Sequence, residues 1–388
     1  RSFQSSEEYS RKLMFTEIFE NYDFRTESEK IKNRTIEDVE QALSNALQGR
    51  MLFDDYLSLL SPSADRLLTE MAELARRITR QRFGNIMQIY MPLYLSNECR
   101  SSCLYCGYSF ENKLPRITLA KAELTREAEI IHSKGIRQVL ALTGEDYSRT
   151  PVSYIADSVS LLNSYFPSVS IEIYPMDTDD YSKIINAGAE GLALYQETYH
   201  PENYKTYHIR GMKKNMKYRL EGPDRGGTAG FRRMSIGALL GLSDSLGEMF
   251  FLGLHAEYLQ KKYWKSLIQV SLPRLKHAEG NFSKEYNVTD REFLRFIFAL
   301  RIYFNDLGIT LSTRERPELR DAVIQYGITS VSAESKTEPG GYQGIEALEQ
   351  FETEDKRTVS EIKDMIRRSG LDPVFKDFDR GLNNRTAD

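Results

Sequence analysis

All three cysteines of this 388-residue chain fall within eight positions, in Cys99-Arg100-Ser101-Ser102-Cys103-Leu104-Tyr105-Cys106. The spacing is C-x3-C-x2-C. Thiolates are soft ligands, and three on one loop can bind three irons of a cubane [4Fe–4S] cluster. The fourth iron is then left for a ligand that is not a cysteine, which suits chemistry better than electron storage. Two plainer readings compete. A zinc site wants a fourth protein ligand at local spacing, but the five histidines, His132, His200, His208, His255 and His277, all lie elsewhere. Three inert buried thiols stay open as well, although random placement rarely gathers every cysteine into one loop.

Other residues have the chemistry to hold a small zwitterion. Ser312-x-Arg314 pairs a hydroxyl with a forked, permanently charged guanidinium, which grips a carboxylate well. Arg274, after Pro273, is a second candidate; either arginine could instead pair with a structural acid. His255 lies in the apolar run Met249–Ala256. A histidine there is commonly a satisfied core residue, and the alternative is a reach toward a phenol hydroxyl. Glu145 follows Gly144, whose missing side chain lets another molecule approach. Glu172 lies within an apolar strand pattern, and Gln196-Glu197 follow another.

These residues need a scaffold. From Asn85 onward, candidate strands alternate with helical runs. The strands are 86–94, 138–142, 169–174, 191–195, 233–236, 268–272, 309–312 and 329–332, the fifth and sixth being the weakest patterns. Eight strands, most followed by a helix, predict a (β/α)8-type TIM barrel of the α/β class, with an open doubly wound sheet as the alternative. The candidate residues then gather at the C-terminal strand ends, where such barrels react. Residues 1–84 read as a helical extension, a lid or a buttress, with Thr35 capping an amphipathic run through Leu47. The barrel is expected over 85–345 and a C-terminal extension over 346–388, its last residues frayed. The glycine-rich stretch from Lys213 to Phe231 reads as a mobile connection.

A net charge of −4 and a pI of about 5.9 advertise no nucleic-acid partner. No apolar run reaches the length of roughly 18 residues needed to span a membrane, and the first residues lack the apolar core of a signal peptide. Clustered thiols without a disulfide framework point to a reducing, cytoplasmic setting.

The cysteine string, with Tyr105 directly before the third cysteine, resembles the signature of radical S-adenosylmethionine (SAM) enzymes. That resemblance implies one [4Fe–4S] cluster held by Cys99, Cys103 and Cys106, with SAM on the open iron. It further implies that Glu145 takes the SAM ammonium group and that Gly237-Ala238-Leu239-Leu240-Gly241 packs on adenine through Gly237 and Leu239. Tyr105 and Glu172 join the cofactor set. Three longer strings, Tyr195-Gln196-Glu197-Thr198-Tyr199-His200-Pro201, Leu311-Ser312-Thr313-Arg314-Glu315 and Ser332-Ala333-Glu334-Ser335-Lys336-Thr337-Glu338-Pro339-Gly340-Gly341-Tyr342, resemble the tyrosine lyases of the thiamine pathway, the 2-iminoacetate synthase (ThiH) type. One departure is Glu334, where that pattern carries Gly. The implied reaction splits the Cα–Cβ bond of L-tyrosine into 2-iminoacetate and p-cresol. Arg314, Ser312 and Arg274 would hold the substrate carboxylate, His255 the phenol, and Glu197 would lie between SAM and substrate. Implied partners are a reduced flavodoxin or ferredoxin-type electron donor and a thiazole synthase. A HydG-type lyase would need cysteines near its C-terminus, and none follows Cys106 here. A tryptophan-type lyase and a non-catalytic iron–sulfur or SAM-binding protein are the remaining alternatives.

Overall fold

The computed structural model describes residues 13–375, except 277, 279–281 and 283–285. In chain order the strands are β1 (Ile86–Ser96), β2 (Ser102–Cys103), β3 (Gln138–Thr143), β4 (Ser168–Glu172), β5 (Gly191–Ala193), β6 (His208–Arg210), β7 (Arg233–Gly237), β8 (Leu267–Ser271), β9 (Gly308–Leu311), β10 (Ser330–Ser332) and β11 (Asp372–Val374). Eight of them, β1, β3, β4, β5, β7, β8, β9 and β10, pair in parallel. β10 returns to β1, Ile89 opposite Val331, which closes the sheet and rules out the open alternative. β11 lies beside the start of β1. β2 and β6 form a separate antiparallel ribbon. Parallel neighbours require long crossovers, and helices such as Lys121–Ser133, Thr178–Asn186 and Asp290–Tyr303 provide them. Thr35 caps Ile36–Leu47 by accepting from the Asp38 N–H at 3.3 Å.

All eight expected strands are present. The weak fifth and sixth patterns have a physical cause. In β7 and β8, Met234, Ile236, Ile268 and Val270 are buried in the main core. The alternate residues Ser235 and Gln269 line the lumen. Barrel interiors are ordinarily packed with branched apolar side chains. The lower half of this one is polar, lined also by Gln138, Ser168, Ser170 and Thr310.

One expectation is overturned. Residues 213–231 hold two helices, Met216–Leu220 and Gly222–Ala229. The glycines serve close packing. A Cβ at Gly226 would stand 2.5 Å from Leu192 and one at Gly227 2.7 Å from Tyr263, while Gly222 faces Leu194. Pro223 in the first turn suits a helix start.

The N-terminal helices are a buttress. Phe24 and Tyr56 press on Gly247 and Gly253 of the helix Ser245–Lys262, on the barrel's outer layer. The Tyr56 hydroxyl donates to the Met249 carbonyl at 2.9 Å. Arg295 donates to the Leu60 carbonyl at 2.9 Å and pairs with Asp65 at 2.5 Å. Residues 1–12 and 376–388, including the expected frayed tail, lie outside the described residues.

Candidate active site

The cysteine loop leaves β1 at the barrel mouth. β2 carries Cys103 and is zipped to β6, with Cys103 opposite His208. The Tyr105 hydroxyl donates to His208 Nε2 at 2.7 Å, because Nδ1–H is spent on the Tyr204 carbonyl at 2.8 Å. Burial, with Lys213 nearby, pushes His208 down to about 3, so its ring is neutral. Cys103 is buried and the other two thiols are half-buried. Burial, then Glu145, pushes Cys99 up to about 12. Gln350 donates to Cys106 Sγ at 3.6 Å and accepts from the Tyr94 hydroxyl at 2.7 Å. Gly107 is required here, since a Cβ would meet the Gln350 carbonyl at 2.7 Å.

Beside the loop lies a chain of buried charges. Arg219 bonds Glu145 at 2.9 Å and approaches Glu197 at 3.5 Å; Lys213 holds Glu197 at 2.7 Å. Ser101 Oγ donates to Glu145 at 3.0 Å. Burial opposes ionisation of Glu197, but Lys213 and Arg219 outweigh it and hold the carboxyl below its usual range. Glu197 has φ +70°. A non-glycine residue there is strained, and the surrounding ion pairs hold it in place. Its carbonyl accepts from Leu239 N at 2.7 Å. Gly237 is needed where a Cβ would lie 2.5 Å from the Ser271 carbonyl and 2.9 Å from the Tyr195 ring.

Below the mouth is a cavity lined by Tyr90, Tyr94, Glu172, Tyr195, Ser312 and Arg314 among others. Among the described residues Arg314 has no ion pair; its guanidinium lies 3.3 Å from the centre of the Phe351 ring. Ser312 Oγ accepts from Arg314 N at 3.3 Å. Ser335 Oγ, in the same wall, has no hydrogen-bond partner among the described residues. Burial, then the charge of Glu197, pushes Glu172 up to about 7. Residues 349–355 cross the mouth, with Gly107 N on the Gln350 carbonyl and Glu354 N on the Thr313 carbonyl, each at 3.1 Å.

Two candidates lie elsewhere. Arg274 is buried between Glu315 and Asp290, 2.9 Å from the latter, and donates to the Val288 carbonyl at 3.1 Å. It is the structural ion pair weighed against substrate binding. His255 is fully buried in the helical layer, stacked on Phe15 at 3.9 Å and bonded to the Tyr199 hydroxyl at 3.0 Å. It does not line the cavity. Sequence reasoning missed Arg219, Lys213, His208, Gln350 and Phe351. Only His208 carried a signal, four residues after Tyr204 in a run opened by Pro201. Glu334 does occupy a left-handed position, φ +44°, where glycine is at ease. Its carboxylate is engaged by Lys134 at 2.6 Å and the Val359 N–H at 3.1 Å.

A family model for the Biotin and Thiamin Synthesis associated domain matches residues 271–372. Over 355 residues the chain is 39% identical to 2-iminoacetate synthase of Escherichia coli (strain K12), covering 91% of this chain and 93% of that protein. The Salmonella typhimurium enzyme of that name is 38% identical over the same shares. The chain belongs to the 2-iminoacetate synthase family. A crystal structure of HydG, a maturase of the [FeFe]-hydrogenase, superposes with a TM-score of 0.86 at 33% identity, covering 91% of this chain and 79% of that one.

Membership in this radical SAM family implies an iron–sulfur cluster and SAM. The donor set fits. Three thiols share one loop, and no three His, Cys, Asp or Glu side chains among the described residues converge as a single metal ion would require. A cube takes one thiolate at each of three separate irons and needs no such convergence. Among the described residues no helix is long and apolar enough to cross a membrane.

Proposed function

We propose that this chain cleaves the Cα–Cβ bond of L-tyrosine, giving 2-iminoacetate and p-cresol, and so feeds thiazole formation in thiamine biosynthesis. The near full-length match to the 2-iminoacetate synthases carries the reading. Cys99, Cys103 and Cys106 would hold a [4Fe–4S] cluster, and Glu145, Gly237 and Leu239 would contact SAM. When bound, these groups supply a 5′-deoxyadenosyl radical and methionine at the cost of one electron. The chain's own residues position the substrate. Arg314, with Ser312 and Ser335, clamps the tyrosine carboxylate in the cavity. Tyr90, Tyr94 and Tyr195 wall the space around the side chain. Glu172, poised near neutrality, and Glu197 flank the amino group, so that one N–H faces the radical. Holding that geometry, more than acid–base strength, is the chain's contribution. Phe351 covers Arg314 and keeps water from the reacting atoms.

In this reading residues 1–84 brace the barrel of residues 85–345, and residues 349–355 of the C-terminal extension (346–388) cross its mouth. Reducing power comes from a flavodoxin or ferredoxin-type donor in the cytoplasm, and the imine passes to a thiazole synthase. The test is anaerobic reconstitution followed by dithionite, SAM and tyrosine. Equal amounts of p-cresol and 5′-deoxyadenosine are expected, and their absence with a full cluster complement sinks the proposal. Offering tryptophan in the same assay separates the tryptophan-type alternative.

A further inference from the structure

We propose that the outer face of the β2–β6 ribbon is the docking surface for an acidic one-electron carrier protein. The inference rests on the function proposed above. Tyrosine and its two products balance atom for atom. Splitting the sulfonium takes one electron, and quenching the p-hydroxybenzyl fragment to p-cresol takes a second electron and a proton. Both electrons come from outside the chain, so a donor must approach the thiol loop at each turnover.

The ribbon offers one place to do so. Cys103 is on β2 itself, its side chain turned inward, while Leu104, the next residue, is exposed. Leu104, Phe110, Ile209 and Met212 are each 41–49% exposed. They are tied together locally: Leu104 N bonds the Tyr207 carbonyl, and Phe110 N the Ser101 carbonyl, both at 3.1 Å. Arg210 stacks over Phe110 at 3.6 Å. A small apolar centre with a polar rim is the anatomy of a protein interface.

The rim is basic. Exposed Lys113, Arg210 and Lys214 lie within three residues of these apolar positions in the chain and make no ion pair among the described residues. The neighbouring acid Glu111 is held by the Ser102 and Ser109 hydroxyls at 2.6 and 3.1 Å and also feels the Arg210 charge. This excess of positive charge stands in a chain whose net charge is −4. A basic patch on an acidic protein, directly over the thiol that would ligate the cluster, selects a partner with an acidic face and steers its approach. Four apolar side chains make a small interface, in the range of transient redox encounters.

The test uses the reconstituted holoenzyme and a reduced acidic flavodoxin. Stopped-flow absorbance follows oxidation of the flavodoxin hydroquinone, and dithionite-driven 5′-deoxyadenosine formation is measured in parallel. The double variant Arg210→Glu/Lys214→Glu, and separately Lys113→Glu, is compared with Lys261→Glu at the opposite end of the barrel. The ribbon double variant should slow flavodoxin oxidation by at least about tenfold, with Lys261→Glu unchanged. The wild-type rate should fall steeply as salt rises from about 50 to about 300 mM. Dithionite-driven activity and iron content should match wild type. An unchanged flavodoxin rate, a salt-independent rate, or loss of binding to a thiazole synthase alone would overturn the assignment. Equal loss with dithionite would do so too, since it marks damage to the loop. If wild type makes no p-cresol with dithionite, the proposed reaction has failed, and flavodoxin oxidation still judges the surface on its own.

Discussion

Arg274 and Arg314 follow neighbouring strands, β8 and β9, and each was a candidate to hold the substrate. Arg274 turns into the wall between strands and helices, where Glu315 and Asp290 neutralise it. Arg314 turns into the lumen, where the Phe351 ring lies against it and, among the described residues, it makes no ion pair. The histidines divide likewise. His208 supports the cysteine loop through Tyr105, while His255 is stacked in the helical layer. A buried charge without its counter-ion is unstable unless a ligand supplies the missing partner. The contrast between wall and lumen therefore separates groups that hold the barrel together from groups kept for a substrate.

The sharpest break of this contrast is Arg314→Met. Losing a buried, charge-assisted clamp should lower kcat/KM for tyrosine by about a hundredfold or more. The melting temperature should hold or rise, as an unpaired charge has left the interior. Arg274→Met should do the reverse. It strands Glu315 and Asp290 and should cost about 3–5 kcal/mol of stability in denaturant unfolding, with KM near wild type in the surviving fold. If Arg314→Met melts early while Arg274→Met loses only substrate affinity, the division is inverted.

Glu248 tests the wall by titration. Burial pushes its carboxyl up to about 8, although the Thr198 hydroxyl and the Tyr199 N–H both donate to it. A raised carboxyl favours the folded state at low pH, and that contribution is lost as pH climbs from the ordinary carboxylate range through about 8. Melting temperature should therefore fall between about pH 5 and about pH 9, and Glu248→Gln should flatten the slope. An equally steep slope in the variant removes Glu248 as its source.

The smallest expected effect is at Gln350. Gln350→Leu removes the donor to Cys106 Sγ, and a less compensated thiolate should make the reconstituted cluster harder to reduce. Potentiometric titration followed by electron paramagnetic resonance should show a shift to more negative potential, alongside a loss of about 1–3 kcal/mol of stability from the orphaned Tyr94 hydroxyl. An unmoved potential would leave Gln350 a packing residue.

Much of the scaffold was legible because a parallel strand between a helix and a barrel interior carries at least one apolar face. Even β7 and β8 could be placed from Met234, Ile236, Ile268 and Val270, and the thiol loop announced itself by spacing alone. Ser312 and Arg314 were legible because both chemistry and strand end pointed to them. The charge chain was not. Lys213 and Arg219 open a stretch that reads as a loop because of its later glycines, and those glycines instead pack a helix closely against Leu192, Leu194 and Tyr263. Gln350 and Phe351 lie far along the chain from the residues they touch, so no local pattern could connect them. Arg274 and His255 have the right chemistry, but a side chain's direction is decided by neighbours that one sequence does not reveal.

The polar lower lumen carries a separate lesson about change. Ser170, Ser235, Gln269 and Thr310 line the bore, while the main apolar core lies on the strands' other face. Such a pipe can be relined without weakening its wall. A new guest molecule could be accommodated by exchanging hydroxyls and amides inside, with the staves and their outer hoops of helices left as they are.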